Sequence, residues 1–160
     1  MKTLCKKYLP WIAVAAWMVV IFWMSAQTAG QSGGLSEAIT RWILHVIYQG
    51  FDGLSAEKQE SILAICHTIL RKGAHFMEYA VLAMLVANAL RQYPMANRLQ
   101  WLLPVAVSAA YAVTDEIHQY FVPDRACRFW DVCIDTAGAA CGIAIFLLWL
   151  WIRKGISPKR

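Results

Sequence analysis

Residues 8–26 contain no charged side chain, and no other feature of the chain restricts its fold so sharply. A helix rising about 1.5 Å per residue over such a run is about long enough to cross ~30 Å of hydrocarbon. In lipid each backbone N–H and C=O must be satisfied within the segment, so the run is expected to be a helix. Its basic start (Lys2, Lys6, Lys7) and the small residues Ser25 and Ala26 resemble a secretory leader. The run is long for a leader, and Trp11, Trp17 and Trp23 make it bulky, so it reads as a retained transmembrane helix.

The rest of the chain repeats this logic. Residues 27–34 are a Gly/Ser/Gln turn region. Leu35, Ile39, Trp42, Ile43 and Val46 then share one helical face, the pattern of a helix lying on a membrane surface or packed over a bundle. Gly50 and Gly53 end it, and residues 56–70 form a second amphipathic segment with Ser55 as its expected N-cap. Further apolar spans follow at residues 74–90, 99–114 and 132–152. Pro104 is tolerable inside the third, because neighbouring groups re-satisfy the freed backbone.

The expected architecture is therefore an all-α membrane protein. It has four transmembrane helices, at about residues 8–26, 74–90, 99–114 and 132–152, with one or two amphipathic surface helices between the first and second. Residues 1–160 are read as a single domain. Only 16% of residues are charged, against roughly 25% in soluble domains. Eight Trp suit anchoring at the headgroup layer. The net charge of +5 brings no basic helix face or RNA-binding motif with it, so nucleic acid is set aside. Five Cys match no CxxC metal spacing; a disulfide between Cys66 and Cys127, which share the outer side, competes with apolar packing.

Charge sets the orientation. Residues 1–7, 91–98 and 153–160 hold Lys2, Lys6, Lys7, Arg91, Arg98, Arg153, Lys154, Lys159 and Arg160 and no Asp or Glu. The positive-inside rule makes that side cytoplasmic, with both termini inside. Polarity gathers at the opposite end of every span: Ser25 and Gln27; Arg71, Lys72, His75, Glu78 and Tyr79; Ser108, Tyr111, Thr114 and Asp115; Asp131 and Asp135. Ionisable groups at a membrane edge are costly and default to a functional site.

Spacing sharpens the picture. Lys72, His75 and Tyr79 share a face, with Glu78 beside it, and Ser108, Tyr111 and Asp115 share another. Asp131 and Asp135 stand above Gly138 and Gly142, a GxxxG that permits close helix approach and would draw Asp135 into the bundle rather than toward lipid. The segment Asp115-Glu116-Ile117-His118-Gln119 followed by Pro123-Asp124-Arg125 carries the densest chemistry.

Those motifs, with Ser25-Ala26-Gln27, Arg71-Lys72-Gly73-Ala74-His75-Phe76-Met77-Glu78-Tyr79, and Asp131 with Asp135 and Gly138, resemble the VanZ family, named for a protein associated with teicoplanin resistance. The resemblance runs from Trp11 to Trp151. It implies a multi-span protein of the bacterial cytoplasmic membrane with a link to glycopeptide resistance, and no agreed reaction. Asp124 departs from the pattern, since the family commonly has Gly before the Arg.

The expected site is an outward-facing polar pocket. Its ligand-binding candidates are Lys72, His75, Glu78, Tyr79, Gln119, Arg125, Asp131 and Asp135, and its acid/base candidates, if it is an enzyme, are Glu116, His118 and Asp115. Lys72 and Arg125 either hold a phosphate, which guanidinium binds bidentately, or neutralise Asp115, Asp131 or Asp135. His75 with Glu78 and Asp115 with His118 have i, i+3 spacing, but zinc needs three or four converging ligands and HEXXH is absent, so neither a metal nor a cofactor is expected. Nothing resembles a nucleophile elbow or a phosphate-cradling loop.

Three functions compete. The first is recognition of an anionic, lipid-linked headgroup, a cell-wall precursor or phospholipid, with membrane lipids and a lipoglycopeptide as partners. The second is a membrane hydrolase or transferase acting on that headgroup. The third, a small transporter or scaffold, predicts polar residues in the inner half of the spans, where only Asn88 and Ser108 approach.

Overall fold

The computed structural model describes residues 2–27, 29–48, 50–123 and 127–156. The described residues form five helices: α1 (Lys2–Ser25), α2 (Ala29–Ile47), α3 (Ala56–Leu90), α4 (Asn97–Tyr120) and α5 (Phe129–Ile156), with a short 3-10 turn at Phe51–Gly53. Among the described residues there is no strand.

Helix α3 is the hub. It packs against each of the other helices, most extensively against α5. Small residues allow this: the α3–α5 seam is built on Ala83, Ala87 and Ala139, with Ile143 and Phe146 closing it. A second cluster joins Val14 and Ile21 of α1 to Tyr79, Leu82 and Val86 of α3 and Ala112 of α4. The basic end is tied by polar contacts: Trp11 Nε1 donates to Tyr93 Oη at 3.1 Å and Gln92 Nε2 donates to the Lys7 carbonyl at 3.0 Å.

Among the described residues three helical stretches are long and apolar enough to cross a membrane: Lys7–Ser25, Ala56–Leu90 and Phe129–Lys154. The sequence predicts a fourth span at residues 99–114, and the helix that carries it is not one of these three. Helix α4 has the length but not the apolarity, because Ser108, Asp115, Glu116 and Gln119 lie on it; all four are buried against protein. A helix that turns its polar side chains into a bundle need not be apolar all round.

The segments expected as a surface helix at 56–70 and a span at 74–90 are one uninterrupted helix. No proline separates them, and Gly73 costs a helix only about 1 kcal/mol relative to Ala. At about 1.5 Å per residue, the 35 residues of α3 extend for ~50 Å, so a good part of the helix projects past ~30 Å of hydrocarbon. Ser55 is its N-cap residue, as expected, but its hydroxyl makes no capping bond. Helix α2 begins at Ala29, inside the predicted turn, and its apolar face looks outward: Ile39, Trp42 and Val46 are exposed while Thr40 is buried. Cys66 and Cys127 are free thiols, so the disulfide alternative is not taken up.

Candidate functional site

The polar C-terminal turns of α1 and α4, the polar middle of α3 and the polar first turns of α5 meet on the side of the bundle opposite the basic turn. On α3, Arg71 and Lys72 lie one turn before His75, so all three reach the same side. On α5, Asp131 precedes Asp135 by one turn, and Gly138 follows. A Cβ placed on Gly138 would stand 2.2 Å from the Phe76 carbonyl oxygen, and one on Gly142 2.3 Å from that of Ala80. The two backbones therefore touch along α3. That contact carries Asp135 inward, where it is 2% exposed.

Lys72 Nζ forms an ion pair with Asp131 Oδ1, at a partly open position. The pair stands at the edge of a pocket lined by Arg71, Lys72 and His75 from α3, Glu116 and Gln119 from α4, and Asp131, Ile134 and Asp135 from α5. Its enclosed space is about 10 Å³, room for roughly one water-sized group. Glu116 Oε2 accepts the Arg128 backbone N–H at 2.8 Å, which joins the start of α5 to the end of α4. Asp135 Oδ1 has no hydrogen-bond partner among the described residues.

Behind the pocket lies a second polar layer. Asp115 Oδ2 accepts from Ser25 Oγ at 2.7 Å and from Gln119 Nε2 at 3.1 Å, and that amide also lies 3.3 Å from Ser25 Oγ. Two helices thus meet on one carboxylate, α1 through Ser25 and α4 through the turn that supplies both Asp115 and Gln119. Glu78 is buried one turn from His75, with Nδ1 to Oε2 at 3.8 Å, and its backbone carbonyl accepts from Trp17 Nε1 at 2.9 Å. Tyr79 is wholly buried with its ring 6.3 Å from that of Tyr111. The Tyr111 hydroxyl donates to the Met18 carbonyl at 2.7 Å.

Of the expected site residues, Lys72, His75, Glu116, Gln119, Asp131 and Asp135 come together at the pocket. Glu78, Tyr79 and Asp115 do not line it and are buried behind or beside it. His118 is separated from Glu116 by half a helical turn and stacks on Phe22 at 4.2 Å. Arg125 lies outside the described residues. Two participants were not among the candidates. Arg71 was signalled by its i, i+4 spacing to His75, whereas the Arg128 contribution is a backbone N–H that no side-chain pattern reveals.

Chemically, the pocket pairs an α3 wall of positive and imidazole groups with an α4/α5 wall of carboxylates. Exposed Trp23, Tyr120, Phe121, Phe129 and Trp130 surround the same end of the bundle, as aromatic side chains do at a headgroup layer. A larger, more open groove of about 730 Å³ runs between α2 and the projecting part of α3, with Thr40, Arg41, Gln59, His67 and Thr68 among its lining residues. Among the described residues no three His, Cys, Asp or Glu side chains are placed to share a metal ion.

A family model described as VanZ/LLP1 matches residues 10–150. No curated protein and no solved structure matches the chain.

Proposed function

We propose, from the premise that the chain belongs to the VanZ/LLP1 family, that it is a four-span membrane protein recognising an anionic, lipid-linked headgroup at the outer leaflet. Helix α4 is the fourth span, its polar residues turned inward. Lys7, Arg91, Arg98, Arg153 and Lys154 mark the cytoplasmic side of a bacterial inner membrane, and both termini lie there.

The observation that carries this reading is the pocket wall formed by Arg71, Lys72 and His75, set at the aromatic-rimmed end of the bundle. Arg71 and Lys72 hold the phosphate, and Asp131 orients Lys72. Arg125, which follows α4 in sequence, is assigned as the second guanidinium of the site. The carboxylates contact hydroxyl or amine groups. Occupying such lipids would alter lipoglycopeptide access, which is the proposed route to teicoplanin resistance.

Purified protein in lipid nanodiscs tests this by mass spectrometry of retained lipids. The wild type is expected to enrich particular lipids whose headgroups carry an anionic phosphate, and the Arg71→Ala/Lys72→Ala variant to lose the enrichment. Equal enrichment in both at equal folding would refute the reading.

The second reading is a hydrolase or transferase acting on the same headgroup, favoured by the position of Glu116 on the pocket wall. Lipid profiling of a Glu116→Gln strain separates the two. A binder leaves headgroup chemistry unchanged, whereas an enzyme shifts a substrate–product pair.

A further inference from the structure

We propose that the pocket reads a primary ammonium group beside the phosphate, so that its ligand is a phosphate–primary amine zwitterion of the phosphoethanolamine kind. This deepens the headgroup reading and rests on it. Three carboxylates line the pocket, and their partners differ. Asp131 is paired with Lys72. Glu116 holds the Arg128 N–H on one oxygen. Asp135 is 2% exposed, and its Oδ1 has no hydrogen-bond partner among the described residues. A carboxyl withdrawn from water either takes up a proton or is held ionised by a cationic partner, and the two rim cations lie on the opposite wall.

Size selects among cationic partners. The pocket that Asp135 helps to line has room of about 10 Å³, enough for one water-sized group. An R–NH₃⁺ head is of that size and brings three N–H donors. Asp135 Oδ1 takes one, and Glu116 and Gln119 supply further acceptor oxygens on the same wall. A trimethylammonium head has no donor and is several times bulkier. The spacing fits as well: Asp131, which fixes the Lys72 rim, and Asp135 are one helical turn apart, a rise of ~6 Å. A two-carbon link spans that step with phosphate at the rim and amine at the floor.

The experiment uses the full chain in detergent, incubated with phosphatidylcholine vesicles doped with phosphatidylethanolamine, its mono- and dimethyl derivatives, or phosphatidylglycerol. Retained lipid is quantified by mass spectrometry. Phosphatidylethanolamine is expected to be retained ~10-fold over phosphatidylcholine, the effect of one charged hydrogen bond, with retention falling at each added methyl. Asp135→Asn is expected to erase that preference; the methylation series on the wild type decides the matter even where this variant does not fold. Soluble O-phosphoethanolamine displacing the lipid identifies the free headgroup as sufficient, and failure to displace it identifies the membrane lipid as the source; both support the amine site. Equal retention of all methylation states, or an undiminished preference in Asp135→Asn, overturns it. If phosphatidylglycerol retention still depends on Arg71 and Lys72, only the amine inference falls. If it does not, the headgroup reading falls too.

Discussion

Gly138 of α5 lies against Phe76 of α3 so closely that a Cβ on the glycine would stand 2.2 Å from the Phe76 carbonyl oxygen. The obstacle is backbone on a central helix, which cannot rotate aside as a flexible side chain can. Gly138→Ala is therefore expected to force α3 and α5 apart and to cost about 1–3 kcal/mol, the usual range for overpacking. Gly142→Ala, facing the Ala80 carbonyl, is expected to behave alike. Gly73 provides the contrast, since a Cβ there meets nothing within 4 Å. Gly73→Ala should stabilise by about 1 kcal/mol through helix propensity alone. Thermal unfolding in detergent ranks the three, and a Gly138→Ala variant as stable as wild type would disprove the close seam.

The Ser25–Asp115–Gln119 contact ties the end of α1 to α4 through one buried carboxylate. Removing the hydroxyl in Ser25→Ala withdraws a donor from a carboxylate that is 3% exposed. The expected loss is about 1–3 kcal/mol. Gln119→Leu should cost a similar amount, and the double variant is expected to depart from additivity because both donors serve the same oxygen. Additive losses in chemical denaturation would show that the two donors act independently.

The Lys72–Asp131 pair is only partly screened, with side chains 30% and 18% exposed. Its coupling energy in a double-mutant cycle (Lys72→Met, Asp131→Asn and both) is expected to be about 1 kcal/mol, toward the upper end for partly exposed pairs. Raising the salt concentration should reduce it. A coupling of zero at low salt would mean that Lys72 serves the pocket and not the fold.

How far the sequence disclosed this arrangement depends on what each residue reports. The polar ends of the helices were legible because apolar spans leave few positions for charge, and the GxxxG below Asp135 anticipated its burial. The orientation of α2 was not legible. Periodicity finds the stripe of Ile39, Trp42 and Val46, but a stripe that meets lipid and one that meets protein have the same period, and here Thr40 faces inward instead. Asp115 and His118 have the i, i+3 spacing of a pair, yet the Phe22 ring captures the imidazole. The bond from the Arg128 N–H to Glu116 depends on how the chain enters α5, which side-chain identity does not encode.

The continuity of α3 makes the sharpest geometric prediction. Arg71, Lys72 and Gly73 read as a boundary between a surface helix and a span, yet helix Ala56–Leu90 runs through them. Spin labels at Glu60 and Asn88, both exposed, are separated by 28 positions, so an unbroken helix sets their backbones ~42 Å apart. Two helices hinged at Gly73 would give a shorter and broader distribution. Pulsed dipolar spectroscopy in nanodiscs, on a chain with its free cysteines replaced, measures this directly. Gly73→Pro should convert the narrow distribution into the broad one at a cost of about 3 kcal/mol. It should also displace Arg71 and Lys72 from His75, because all three reach the pocket only while α3 carries them on one rigid axis. A broad distribution in the unsubstituted chain would break that axis, and with it the pocket wall on which headgroup recognition depends.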